Sequence, residues 1–188
     1  MIGDGVAKLV DRAFAATGVD AGADLAELTR RFIALYEPLA TDETRLIEGV
    51  PTALDALRAA GLKLGICTNK PEQATRTILC ALALDAHFDV VIGGDSVPGA
   101  RKPDPAMVLA VLDRLGVDPA QAVMVGDSGN DVAAARAAGL PVIVRAGGYT
   151  TVAAEALGAD AVIADFDALP AAIAALDAQA DVAVARVP

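Results

Sequence analysis

Three clusters of polar residues each follow an apolar run: Thr68-Asn69-Lys70, then Arg101-Lys102-Pro103-Asp104-Pro105, then Gly126-Asp127-Ser128-Gly129-Asn130-Asp131. A hydroxyl and an exposed backbone N–H at Thr68 and Asn69 can grip a phosphoryl oxygen, aided by the amino end of the helix that follows. The same residues can equally form an ST turn that caps that helix. Lys102, stiffened by Pro103, can present a fixed positive charge to a phosphate or a carboxylate. Its plain alternative is an exposed lysine ahead of a proline-led helix. The third cluster sets two carboxylates around Ser, Gly and Asn. Hard oxygen ligands at a strand end suit Mg2+, which takes one or two carboxylates together with phosphate and water. A turn with Asp131 as helix N-cap explains the glycines and the second Asp but leaves Asp127 unexplained, which favours a metal site.

The elements that must position these clusters can be read from periodicity. Val6, Leu9, Val10, Ala13 and Phe14 recur at helical spacing, as do Leu25, Leu28, Phe32, Leu35 and Tyr36, and no strand is expected before Gly49. Beyond it the pattern alternates. Strands are expected over 62–68, 88–93, 122–126, 141–144 and, more weakly, 161–163. Helices are expected over 52–60, 72–84, 105–115, 131–138, 153–157 and 169–176. Strands alternating with helices imply a doubly wound parallel sheet with its ligand site at the strands' carboxyl ends. The expected organisation is a helical segment over 1–48, the α/β core over 49–176, and a frayed tail over 177–188.

Composition narrows the function classes. The chain has 188 residues, 55% of them hydrophobic, and a formal net charge of −10. Such a chain repels nucleic acid and anionic membrane, so a bound phosphate must be held by a local site. Cys67 and Cys80 are too few for a disulfide framework and suit a reducing cytoplasm. No apolar run approaches the roughly 18 residues of a membrane span, and the first residues do not read as a signal peptide. The sequence is silent on oligomeric state.

Taken together and in this order, the clusters resemble the haloacid dehalogenase superfamily of phosphotransfer hydrolases. The stretches 66–72 (ICTNKPE), 93–105 (GGDSVPGARKPDP) and 125–131 (VGDSGND) are most similar to its phosphoglycolate phosphatase branch, and 2–14 (IGDGVAKLVDRAF) resembles part of that branch's helical cap. The resemblance implies a Rossmannoid core with a partial cap and a small phosphorylated substrate. It implies that Thr68 and the Asn69 backbone hold the phosphoryl group, that Lys102 balances charge, and that Asp127 ligates Mg2+. Asp131 and Ser128 would stand one layer back, fixing metal waters or Lys102.

One motif of the family is not found. Its Asp-x-Asp-Gly-Thr supplies the aspartate that attacks phosphorus and the acid/base beside it, and no Asp-x-Asp-Gly occurs in this sequence. Gly3-Asp4-Gly5 is no substitute, since no apolar strand precedes it. The resemblance therefore implies that Met1 begins inside the cap, after the central first strand and the nucleophile. A start codon assigned too far downstream (or a trimmed chain) accounts for this, as does a natural remnant. The chain as given is then expected to be inactive, and a non-catalytic phosphate- or partner-binding remnant is the alternative to an enzyme.

The remaining polar residues have plainer readings. Asp4, Lys8, Arg12 and Tyr36 fit a solvated helix surface, with contact to a substrate carboxylate as the alternative. Gly147-Gly148-Tyr149 can line the site rim or form a simple turn. His87 is expected to pack beside Phe88 rather than act as a base.

Overall fold

The computed structural model describes residues 3–148 and 150–184. Among them, two helices come first, α1 (Val6–Ala16) and α2 (Leu25–Tyr36). Then follow α3 (Val50–Ala59), β1 (Gly65–Cys67), α4 (Glu72–Ala81), β2 (Val90–Ile92), α5 (Ala106–Leu115), β3 (Met124–Gly126), α6 (Gly129–Ala138), β4 (Val142–Arg145), β5 (Ala161–Ile163) and α7 (Leu169–Val184). All five strands fall within or against the expected runs, trimmed to the residues that pair.

The strands are parallel and clad by helices on both faces, so they read as near-continuous apolar runs. Alternation sorts their side chains into layers. Val142 and Val144 of β4 join Val108, Leu112, Val132 and Ala135 from α5 and α6. Ile143, between them, points the other way and joins Leu57 of α3, Ile163 of β5 and Leu169 of α7. In β2, Ile92 meets Met107 and Val111 of α5, while Val91 meets Leu79 of α4. The result is an α/β/α sandwich.

The strands do not form one sheet. β1 pairs with β2, and β3, β4 and β5 form a second sheet. β1 and β3 are not hydrogen-bonded to each other, so the doubly wound sheet is interrupted between the strand leading to Thr68 and the strand leading to Asp127, as expected of a core without its central first strand. Side chains nevertheless bridge the two. Leu64, Val123 and Val125 pack against one apolar cluster, and Cys67 and Met124 against another.

Two expectations are corrected. Residues 153–157 do not make an α-helix; a single 3-10 turn, Ala154–Ala156, stands there. Regular structure also continues past Leu176, since α7 runs to Val184. Its composition is mostly Ala and Val, without the charged face that marks an amphipathic helix, so periodicity does not reveal the last two turns.

Candidate phosphate and metal site

β1 and β3 both aim their carboxyl ends at the same face, and the polar clusters begin where they end. Thr68 follows β1, and its N–H still pairs with the Ile92 carbonyl at 3.0 Å. Its hydroxyl oxygen accepts from the Lys70 N–H at 3.2 Å, so the ST turn is present. The hydroxyl hydrogen remains a donor that the turn does not consume. Asn69 is buried, and its side chain is committed to the protein: Oδ1 accepts from the Lys102 N–H and Nδ2 donates to the Lys102 carbonyl. Only its backbone is left to face a ligand.

Lys102 precedes a cis peptide bond to Pro103. Its ammonium donates to Asp131 Oδ1 at 2.7 Å and to the Cys67 carbonyl at 2.6 Å. The Cys67 carbonyl lies at the end of β1, so the lysine reaches the gap between the two sheets. The exposed-lysine reading is thus overturned: the side chain is 11% exposed.

Asp131 does not act as the N-cap of α6. Ser128 holds that position in extended backbone, and Asp131, three residues on, closes a capping box with it. Its Oδ2 accepts from the Asp127 N–H, the Ser128 N–H and the Ser128 hydroxyl. Burial by itself pushes this carboxyl up. The Lys102 ammonium and the hydrogen bonds from Lys102, Ser128 and the Asp127 amide outweigh burial and hold it below the usual carboxylate range. Burial likewise pushes the Cys67 thiol up, leaving it an unreactive strand residue.

Asp127 sits half-buried at the first position beyond β3. Two glycines make the space these carboxylates occupy. A Cβ on Gly126 would overlap the Asp131 side chain, and one on Gly148 would overlap that of Asp127. Gly148 therefore walls the site, while Tyr149 lies outside the described residues. Among the described residues no three His, Cys, Asp or Glu side chains converge as a cage. One strand-end carboxylate fits Mg2+ as a single protein ligand, the manner in which that ion is held when phosphate and water complete the shell.

Several contacts escape sequence reasoning because they join residues far apart in the chain. Asp4 is not a plain solvated side chain. It accepts from Asn130 Nδ2 at 2.7 Å and pairs with Arg12 at 2.5 Å, and these two bonds hold its carboxyl below the usual range. Tyr36 bonds the Lys70 ammonium through its hydroxyl and faces it with its ring, 4.8 Å from the centroid. Lys8 is exposed, as a solvated face requires. His87 stands before β2, at the end of the sheet away from the site, with Nε2 2.9 Å from Asp55 Oδ1.

A parallel α/β core carrying Thr, Lys and a Gly-Asp-x-x-x-Asp run at its strand ends is the arrangement of a haloacid dehalogenase-like hydrolase. The chain matches that family over residues 1–139 and belongs to it. It is 47% identical over 174 residues to a phosphoglycolate phosphatase of Rhodospirillum rubrum, covering 90% of this chain and 72% of that one. A phosphoglycolate phosphatase of Caulobacter vibrioides is 43% identical over 173 residues, covering 92% and 73%. Among solved structures, a predicted phosphoglycolate phosphatase from Haemophilus somnus superposes with a TM-score of 0.81 at 31% identity, over 92% of this chain and 79% of that one. No helix among the described residues is long and apolar enough to cross a membrane.

Proposed function

We propose that this chain carries the phosphate- and metal-binding residues of a Mg2+-dependent phosphomonoesterase acting on 2-phosphoglycolate, the ester that the names of its relatives specify. The observation that carries the reading is the Lys102–Asp131 pair at 2.7 Å, set between the Thr68 and Asp127 loops. A fixed cation there neutralises a bound phosphoryl group, and Asp131 keeps its ammonium in place. The Thr68 hydroxyl and the Asn69 N–H donate to phosphoryl oxygens. Asp127 would hold Mg2+, which when bound supplies further positive charge to the equatorial oxygens. Phosphoryl transfer is mostly such positioning and neutralisation. A half-buried site in a chain of net charge −10 also confines anion binding to this spot. With two free cysteines and a small phosphorylated substrate, the cytoplasm is its place of action.

The covalent step needs an aspartate that attacks phosphorus, and no Asp-x-Asp-Gly occurs among the 188 residues. In our reading these residues bind phosphate but do not turn it over. The test is a titration of the 188-residue protein with inorganic phosphate and Mg2+, run beside an assay on 2-phosphoglycolate. Phosphate binding without hydrolysis is expected, with binding lost in Lys102→Ala. Mg2+-dependent hydrolysis that disappears in Asp127→Ala would show that the set of catalytic groups is complete after all.

A further inference from the structure

The Asn69 carboxamide has both its amide hydrogens and its oxygen engaged within the protein. Nδ2 donates to the Lys102 carbonyl at 3.0 Å and to the Gly3 carbonyl at 2.7 Å, while Oδ1 accepts from the Lys102 N–H at 2.9 Å. The residue is 8% exposed. Two bonds to one residue's backbone set the plane of the carboxamide. Exchanging its oxygen and nitrogen would face donor with donor and acceptor with acceptor, so one orientation alone satisfies the group. Its remaining N–H then points at Gly3 and nowhere else.

The segment it meets runs along the same cluster. Asp4 bonds Asn130, and a Cβ on Gly5 would stand 3.0 Å from the Arg101 side chain. Residues 3–5 thus lie against 69, 101 and 130 together and lead directly into α1. We propose that Asn69 is a positioning residue that couples the docking of the Gly3–Gly5 segment to the placement of Lys102. The coupling itself is geometric; its bearing on phosphate binding rests on Lys102 being the cation that meets phosphate. When the segment leaves, the carboxamide loses one of the three bonds that fix its plane and its freed N–H opens to water, so it holds the Lys102 backbone less firmly. The position of the helical segment and the position of the site's cation are then one variable.

Amide hydrogen exchange on the 188-residue protein tests this, with three sets of amides followed: Lys102, α1 from Leu9 onward, and Val142–Val144 as the reference. Asn69→Asp keeps the shape and an acceptor for the Lys102 N–H but offers no donor at neutral pH. It is expected to speed exchange at Lys102 and in α1 by about tenfold or more while the reference holds. Asp4→Ala, which cuts the segment's other tie, is expected to speed both sets as well. Faster α1 exchange with wild-type protection at Lys102, in either variant, overturns the coupling. So does an equal rise in all three sets, which reports loss of global stability, or no change in any. A parallel titration with inorganic phosphate and Mg2+ separates the two readings. A wild type that gives no phosphate response sinks the proposed function and leaves the exchange result, and the coupling it measures, intact.

Discussion

The Lys102 ammonium and the Asp131 carboxylate lie 2.7 Å apart, their side chains only 11% and 7% exposed. The contact ties the loop after β2 to the first turn of α6. Each charge is removed from water and depends on the other.

Removing one partner therefore leaves a buried charge uncompensated, which costs about 3–5 kcal/mol in such settings. Lys102→Met and Asp131→Ala are each expected to lose stability in that range by urea unfolding. The double variant should lose less than the two singles added. Strict additivity would mean that the two groups do not interact.

The pair also sets a direction for acid sensitivity. The folded state holds the Asp131 carboxyl below its unfolded value, so the unfolded chain takes up the proton first as pH falls. The stabilisation is complete above the unfolded value of about 3.9 and is lost as pH falls through the folded one. Thermal melting followed downward from neutral pH should fall in that window. In Lys102→Met, where burial acts without its counterweight, the acid slope from Asp131 should shrink or reverse. An unchanged acid limb in that variant would contradict the assignment.

Glycine substitutions separate site geometry from fold stability. A methyl at Gly148 overlaps the Asp127 side chain, so Gly148→Ala is expected to weaken Mg2+-dependent phosphate binding. A methyl at Gly126 overlaps Asp131 and should cost about 1–3 kcal/mol of stability through overpacking. Gly129→Ala is the control. There a Cβ meets only Leu157 at 3.8 Å, and alanine is the better helix former. Urea midpoints that fall equally in Gly126→Ala and Gly129→Ala would remove the crowding argument.

The interrupted sheet makes its own prediction. The Leu64 carbonyl and the Thr68 N–H bond toward β2, and the Met124 N–H bonds toward β4. In parallel strands successive residues point their backbone groups to opposite sides. Gly65, Cys67 and Val125 thus direct theirs toward the gap between the sheets. Their amides should exchange fast while those of Ile66 and Thr68 exchange slowly. Gly65 is exposed, Cys67 and Val125 are half-buried, and the Cys67 carbonyl is taken by Lys102, so the facing edges are open to solvent rather than sealed in the core. Such open edges can accept another strand, so the protein is expected to associate through them. Slow exchange at Gly65, Cys67 and Val125 in a monomer would show the gap to be closed.

The elements themselves are local events, which is why composition and periodicity reveal them. The β-rich runs at Val90–Ile92 and Val142–Val144, and the 3.6-residue stripe from Val6 to Phe14, need only their own side chains to be read. The candidate site residues were legible for the same reason: Thr68, Lys102 and Asp127 each stand where an apolar run gives way to polar residues.

What those residues touch was not legible. Asp131 reads as a helix cap in either setting, and only the fold decides that Ser128 caps α6 and that Asp131 turns to Lys102, 29 residues away in sequence. Asn69 reads as a phosphate-side residue, yet its side chain belongs to Lys102 and Gly3. Asp4 and Tyr36 read as solvated helix surface, yet they meet Asn130 and Lys70. A side chain's period along the chain tells which face it shares, because that is set by its own backbone. Its partner is set by which distant backbone arrives at that face, and that is decided only when the layers pack.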